Sequence, residues 1–124
     1  MINLIAIAAG GAFGAVGRYV SSVWIYGIFG RDFPYGTLFV NVAGSFVMGL
    51  LSILLIERMS VGPEVRAFLL IGFLGAYTTF STFSIETINL LIGGEAIKAG
   101  INMLLSVFVC LAACWMGMIL GRQI

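Results

Sequence analysis

The sequence predicts an all-helical integral membrane protein with four transmembrane helices, the third of them broken near its middle. Of the 124 residues, 61% are hydrophobic and only 9% are charged, whereas a soluble domain carries about 25% charged residues. Four segments reach the roughly 20 mostly apolar residues that a bilayer-spanning helix needs. The third of these carries glycines, hydroxyl side chains and a carboxylate at positions where leucine and valine are typical of a membrane helix.

The connections between the predicted spans are short, and each contains Gly or Pro together with at least one charged residue. Such sequences are typical of turns at a membrane interface. The spans are expected at about residues 3–28, 35–56, 66–92 and 96–120. The first span lacks the basic n-region of a signal peptide and is longer than an h-region, so we expect it to remain in the protein. Residues 1–124 are therefore predicted to form a single four-helix transmembrane domain.

The first span combines a glycine face with an arginine. Gly10 and Gly14 are four residues apart and Gly17 lies one further turn along, a pattern that lets another helix approach closely. Arg18 lies deep in this span, where a guanidinium is costly unless it faces protein or water. A helix that ended at Gly17 would let Arg18 reach the interface, but it would be too short to span. Arg18 is therefore predicted to line an aqueous vestibule that attracts anions.

The second and fourth spans each carry a stripe of polar and small residues at steps of four. The stripes are Thr37, Asn41, Ser45 and Gly49, and Asn102, Ser106 and Cys110. Hydrogen bonds between helices would explain most of these residues, but the amide of Asn41 also offers two N–H donors without burying a charge. We expect the stripes to converge on the third span. Cys110 and Cys114 are interpreted as small buried hydrophobic residues.

The third span is predicted to stop and restart. Gly72 and Gly75 loosen the backbone, and Thr78 or Thr79 could cap a new helix. Broken backbone in lipid persists only where protein covers it or where it lines a wet cavity, and a restarted helix directs unpaired N–H groups at a ligand. A kinked helix packed through small residues is the alternative. An ion site is favoured by the residues that follow the break: Phe80, Phe83 and Glu86.

The basic residues are divided almost evenly between the two ends of the predicted bundle. One end holds Arg58, Arg66 and Arg122, and the other holds Arg31 and Lys98. This weak bias lets the chain insert in both orientations, and an antiparallel homodimer would then create inverted symmetry. The net charge is only +1, so a nucleic acid partner is not expected. There is no histidine and no catalytic constellation, so the protein is not expected to be an enzyme.

Four stretches together resemble the Fluc (CrcB) family of small bacterial fluoride channels. They are residues 10–19, residues 36–45, the motif Gly72-Phe-Leu-Gly-Ala-Tyr-Thr-Thr-Phe-Ser-Thr-Phe-Ser84, and Asn102 with Ser106. The resemblance implies an antiparallel, dual-topology homodimer in the bacterial inner membrane, with two pores that passively export fluoride from the cytoplasm. It further implies a structural sodium ion (Na+) at the dimer centre, held by the backbone carbonyls of Gly75 and Thr78. Its implied pore residues are Asn41, Phe80, Ser81, Thr82, Phe83, Glu86 and Ser106.

The implied pore chemistry suits a small, strongly hydrated anion. A conducting site must bind the ion and still release it, so amide and hydroxyl donors are better than full positive charges. A phenyl ring also has a positive edge, and Phe80 and Phe83, at positions i and i+3 of a helix, could present their edges to the same ion pathway. Beyond fluoride, the expected partners are a second copy of the chain and membrane lipid.

Two other functions would fit part of the sequence. A small multidrug-type proton antiporter needs an acidic residue in its first span, and this first span has none. A structural membrane subunit that conducts nothing would explain the glycines, but it would not explain the asparagine and hydroxyl stripes.

Overall fold

The computed structural model describes all 124 residues, and every regular element in it is helical. The elements are α1 (Ile2–Phe29), α2 (Tyr35–Arg58), α3 (residues 63–77), α4 (Phe80–Ile92) and α5 (Ala96–Gln123). Helix α1, helix α2, the α3–α4 pair and helix α5 are each long and apolar enough to cross a membrane. The predicted all-helical, four-span membrane architecture is confirmed.

Two spans extend three residues beyond the sequence-based bounds, and the other two differ by one or two residues. The third span begins at Pro63 rather than residue 66, because proline at the first helical position loses no hydrogen bond and already has a helical φ. The fourth span ends at Gln123 rather than residue 120. Its last turn contains Arg122, whose charge is favourable at the negative end of a helix.

The glycine face of α1 packs against α3. A Cβ atom on Gly10 would overlap the carbonyl oxygen of Phe68, and one on Gly14 would overlap that of Phe73. Gly17 lies against the ring of Tyr77. The close approach predicted from the glycine spacing is therefore present, with α3 as the partner. Contacts advance along both helices together, so α1 and α3 run in the same direction.

Helices α2 and α5 form a second parallel pair, again through glycine. A Cβ atom on Gly49 would overlap the carbonyl oxygen of Cys114, and one on Gly117 would overlap that of Phe46. Farther along, Gly121 lies against the side chain of Ile53. The two main helix pairs are thus interleaved in the chain, because α1 pairs with α3 and α2 pairs with α5.

Two stretches are wound as π-helix rather than α-helix. They are Ile53–Arg58 at the end of α2 and Ala67–Leu74 within α3. π-Helical turns are rare and occur frequently near functional sites. The stretch in α3 contains the Phe68 and Phe73 carbonyls that contact α1, so the widened part of this helix is also its closest packing surface.

The third span breaks between α3 and α4. Thr78 and Thr79 are extended, with φ/ψ of −86°/158° and −152°/118°. Thr79, rather than Thr78, caps the new helix, because its Oγ1 accepts the N–H of Thr82 at 3.2 Å. Gly72 and Gly75 lie before the break, within helical backbone. Gly72 is buried against α1, so close packing is one role of this residue. That it also loosens the backbone stays a prediction.

Charged residues occur almost entirely at the two ends of the bundle. At one end Lys98 pairs with Glu95 at 2.9 Å, and at the other Arg122 lies 3.9 Å from Glu57. Both pairs are exposed, so they contribute little to stability. Only Arg18 and Glu86 lie well within the spans.

Candidate functional site

A groove of about 500 Å³ lies beside the break in the third span. Its walls come from α2, the break, the first turn of α4, and α5. Four predicted pore residues line it: Asn41, Phe80, Phe83 and Ser106. Thr78 and Thr79 form the part of the wall where the backbone is extended. The polar stripes of the second and fourth spans therefore meet at the break, as the sequence predicted.

The side-chain amide of Asn41 pairs with the backbone of the break. Its Oδ1 accepts the N–H of Thr79 at 2.8 Å, and its Nδ2 donates to the carbonyl oxygen of Thr79 at 3.0 Å. The amide thus satisfies both polar groups of a residue that has left the helix. Because one of the two Nδ2 hydrogens is used here, Asn41 has one N–H for a ligand rather than two.

Arg18 of α1 bonds the end of α3, just before the break. Its Nε donates to the carbonyl oxygen of Ala76 at 3.0 Å, and the residue is half-buried. Ala76 lies at the end of α3, where helix carbonyls have no partners and a positive charge is favourable. The guanidinium therefore stabilises the end of α3. Its predicted role in an anion-attracting vestibule stays a prediction.

The break also redirects two backbone donors. In a continuous helix the N–H groups of Thr79 and Thr82 would bond the carbonyls of Gly75 and Thr78. Here Thr79 N–H donates to Asn41, and Thr82 N–H donates to the Thr79 hydroxyl. The carbonyl oxygens of Gly75 and Thr78 thus lose their usual helical donors. Such oxygens are the ligands that hard cations prefer, so these residues fit the predicted sodium ion, which stays a prediction.

The two phenylalanines after the break form one aromatic pair. The ring centroids of Phe80 and Phe83 are 5.2 Å apart, and the ring planes make an angle of 43°. Phe83 is 9% exposed, whereas Phe80 is 76% exposed. One ring is therefore fixed in the bundle, and the other stands on its surface.

Hydroxyl groups cluster around the cap of α4. The Thr79 hydroxyl donates to Thr82 Oγ1 at 3.1 Å and lies 3.3 Å from Ser81 Oγ. Ser81 is exposed. The predicted polar residues Ser81 and Thr82 are thus joined by Thr79, beside the groove rather than among its lining residues.

Glu86 lies outside the groove, in a separate pocket of about 210 Å³. The hydroxyl of Tyr26 donates to Glu86 Oε2 at 3.0 Å, while Oε1 is buried without a hydrogen-bond partner. The guanidinium of Arg31 stacks over the Tyr26 ring at 4.5 Å. The structure therefore does not bring Glu86 together with the phenylalanines in one cavity.

The sequence comparisons agree with the resemblance drawn from the motifs. The family described as "CrcB-like protein, Camphor Resistance (CrcB)" matches residues 5–118. The chain belongs to the CrcB family. The resemblance predicted from the sequence is confirmed.

Several curated members of the CrcB family are close relatives, and each is named "Fluoride-specific ion channel FluC". The protein from Methylococcus capsulatus is 56% identical over 99% of this chain, and the chain spans about half (54%) of that protein's length. The protein from Geobacter metallireducens is 48% identical over the whole of both chains. The protein from Hydrogenovibrio crunogenus is 49% identical over 99% of this chain and 93% of that protein.

A buried hydrogen-bond chain in this CrcB-family protein supports Phe83. Ser106 donates to Asn102 Oδ1 at 3.4 Å, Asn102 Nδ2 donates to Thr87 Oγ1 at 2.9 Å, and Thr87 donates to the Phe83 carbonyl at 2.7 Å. Asn102 is 1% exposed. Thr87 was not predicted from the sequence, although its position one turn after Phe83 was a usable signal. Tyr26 was not predicted either, because it is 60 residues from Glu86 and has no local signal.

Proposed function

We propose that this chain forms a fluoride-selective channel that passively exports fluoride from the cytoplasm. The observation that carries the proposal is the groove in which an amide, hydroxyls and phenyl rings meet beside a break in a membrane helix. The relatives that share this sequence along their length are named for the same ion. Because those relatives are named as channels, we assign the chain no enzymatic activity.

Fluoride would exchange part of its water shell for uncharged donors in the groove. The free amide hydrogen of Asn41 is one donor, because only the other is used by Thr79. The Ser106 hydroxyl is a second, because its bond to Asn102 is long at 3.4 Å and therefore weak. The positive edges of Phe80 and Phe83 add further weak attraction. Donors of this strength bind an anion and still release it.

Selectivity over chloride would come from a wall that cannot widen. Phe83 is buried, and its backbone carbonyl is held by Thr87, which is held in turn by Asn102. Buried hydrogen-bond networks of this kind stiffen the elements they join. A larger halide would have to displace the Phe83 ring against this support.

The active form is proposed to be an antiparallel homodimer. Phe80 is 76% exposed and Ser81 is also exposed, although both lie at the middle of the third span. Irregular polar backbone is not stable against lipid, so protein must cover it. A second copy in the opposite orientation would cover both breaks, and the dimer would contain two pores. We place this dimer in the bacterial inner membrane.

A sodium ion at the dimer centre would stabilise the assembly. The carbonyl oxygens of Gly75 and Thr78 from each chain would hold it, because their helical donors are used elsewhere. The ion would supply positive charge that joins the two broken helices, and it would not permeate.

The test is ion efflux from proteoliposomes, measured with electrodes for fluoride and for chloride. The wild-type protein should release fluoride and retain chloride. Phe83→Ile should abolish or strongly slow fluoride efflux. Phe108→Ile is the matched control, because Phe108 is an exposed ring on α5 outside the groove, and it should conduct normally. Equal release of both halides, or release of neither, would contradict the proposal. Proton-driven uptake of a cationic dye would instead favour the antiporter.

A further inference from the structure

Three sulfur-containing side chains line the groove: Met48 on α2, and Cys110 and Cys114 on α5. Both cysteines are free and half-buried. The sequence predicts small buried hydrophobic residues at these positions. Both cysteines are instead half-buried and line the groove.

The three residues lie within about one helical turn of one another along the groove. Gly49 contacts the backbone carbonyl of Cys114, so its neighbour Met48 is level with that cysteine. Cys110 lies one turn from Cys114 on the same helix, where residues four apart have Cβ atoms about 5–6 Å apart. Metal–sulfur bonds of about 2.3 Å would allow one ion to reach both thiols.

The chemistry of this cluster selects a particular class of ion. Thiolate and thioether ligands are soft, and they favour soft metal ions over sodium, magnesium or calcium. Val107 and Leu111 beside them are apolar, and Ser45 is the nearby hydroxyl residue of the groove. One neutral hydroxyl is a poor site for a hard cation, which takes about six or more oxygen ligands.

We propose that Cys110, Cys114 and Met48 form a binding site for a soft monovalent cation of the Cu⁺ or Ag⁺ type, and that the bound ion obstructs the groove. On binding, each coordinating thiol gives up its proton to the solvent and forms a metal–sulfur bond, with no change of oxidation state. Obstruction of fluoride rests on the proposed function, whereas binding of the ion does not.

The binding test uses purified protein in detergent, a chloride-free nitrate buffer and Ag⁺ as the probe. Isothermal titration and protection of the thiols from a maleimide should both report one Ag⁺ per chain. The Cys110→Ala/Cys114→Ala double variant should bind at least about tenfold more weakly, and Met48→Leu should also weaken binding. Met116→Leu is the matched control, because Met116 is an exposed thioether on α5 outside the groove.

The outcomes separate the site from the channel. Equal Ag⁺ affinity in the wild type and the double variant, or no binding by the wild type, would overturn the site. If the alanine pair misfolds by size-exclusion chromatography, Cys110→Ser/Cys114→Ser replaces it in the same comparison.

In proteoliposomes, Ag⁺ should slow fluoride efflux through the wild type and leave the double variant unaffected. Ag⁺ that binds without slowing efflux would overturn the obstruction. Absence of fluoride efflux before Ag⁺ is added would count against the channel, and the binding result would still stand.

Discussion

Asn41→Ala is the sharpest test of how the broken span is held. The substitution removes both hydrogen bonds between the Asn41 amide and the Thr79 backbone, at 2.8 and 3.0 Å. Thr79 is extended and cannot recover these bonds within a helix. The variant should therefore lose stability as well as fluoride efflux.

The expected loss follows from the two bonds. Removing one partner, so that a buried group is left without its hydrogen bond, costs about 1–3 kcal/mol. Because Thr79 is half-buried rather than enclosed, we take the lower end of this range for each of its two groups. The sum is about 2 kcal/mol, or roughly a 30-fold change in the ratio of folded to unfolded protein.

The assay is unfolding by sodium dodecyl sulfate in mixed micelles, followed by the fluorescence of Trp24 and Trp115. Ser45→Ala is the matched control, because Ser45 lines the same groove on the same helix but does not bond the break. It should change the free energy of unfolding by less than about 0.5 kcal/mol. If both variants unfold at the same detergent fraction, the amide does not hold the break and the reasoning fails.

Three further predictions concern the packing, the buried network and the ion. Gly14→Ala places a Cβ atom against the backbone of α3 and should lower the free energy of unfolding by about 1–3 kcal/mol in the same assay. Gly27→Ala is the control, because a Cβ atom there meets nothing within 4 Å, and it should be neutral or slightly stabilising. Equal free energies of unfolding would contradict the tight packing of α1. Asn102→Ala removes the hydrogen bond that the Thr87 hydroxyl accepts. It should lower the free energy of unfolding by about 1–3 kcal/mol and slow fluoride efflux. An unchanged efflux rate would remove the hydrogen-bond chain behind Phe83 from the mechanism. Replacing sodium by N-methylglucamine should reduce the dimer fraction on size-exclusion chromatography, and an unchanged profile would argue against a central sodium ion.

The fold was largely predictable because the membrane imposes simple length and polarity rules. The glycine spacing in α1 predicted close packing, but it could not name α3 as the partner. The break was predictable from glycine and threonine content. Its position was not, because either Thr78 or Thr79 could cap a helix and only the backbone geometry selects Thr79.

The site was predictable by residue type but not by contact. Asn41 was singled out from its chemistry, yet its pairing with Thr79 joins residues 38 apart and depends on the rotation of α2. The bond from Arg18 goes to a main-chain carbonyl, that of Ala76. Every residue carries such a carbonyl, so no residue type in the sequence could have indicated this partner.

The interleaved pairing of the helices constrains how the chain can assemble in a membrane. When α1 and α2 have entered the bilayer, neither of their main partners is yet beside them. The glycine face at Gly10 and Gly14 therefore has no helix packed into it until residues 68–73 arrive. Neither half of the chain contains a complete pair, so a fragment ending after α2 should not fold alone. Two co-expressed halves should instead rebuild both pairs at once.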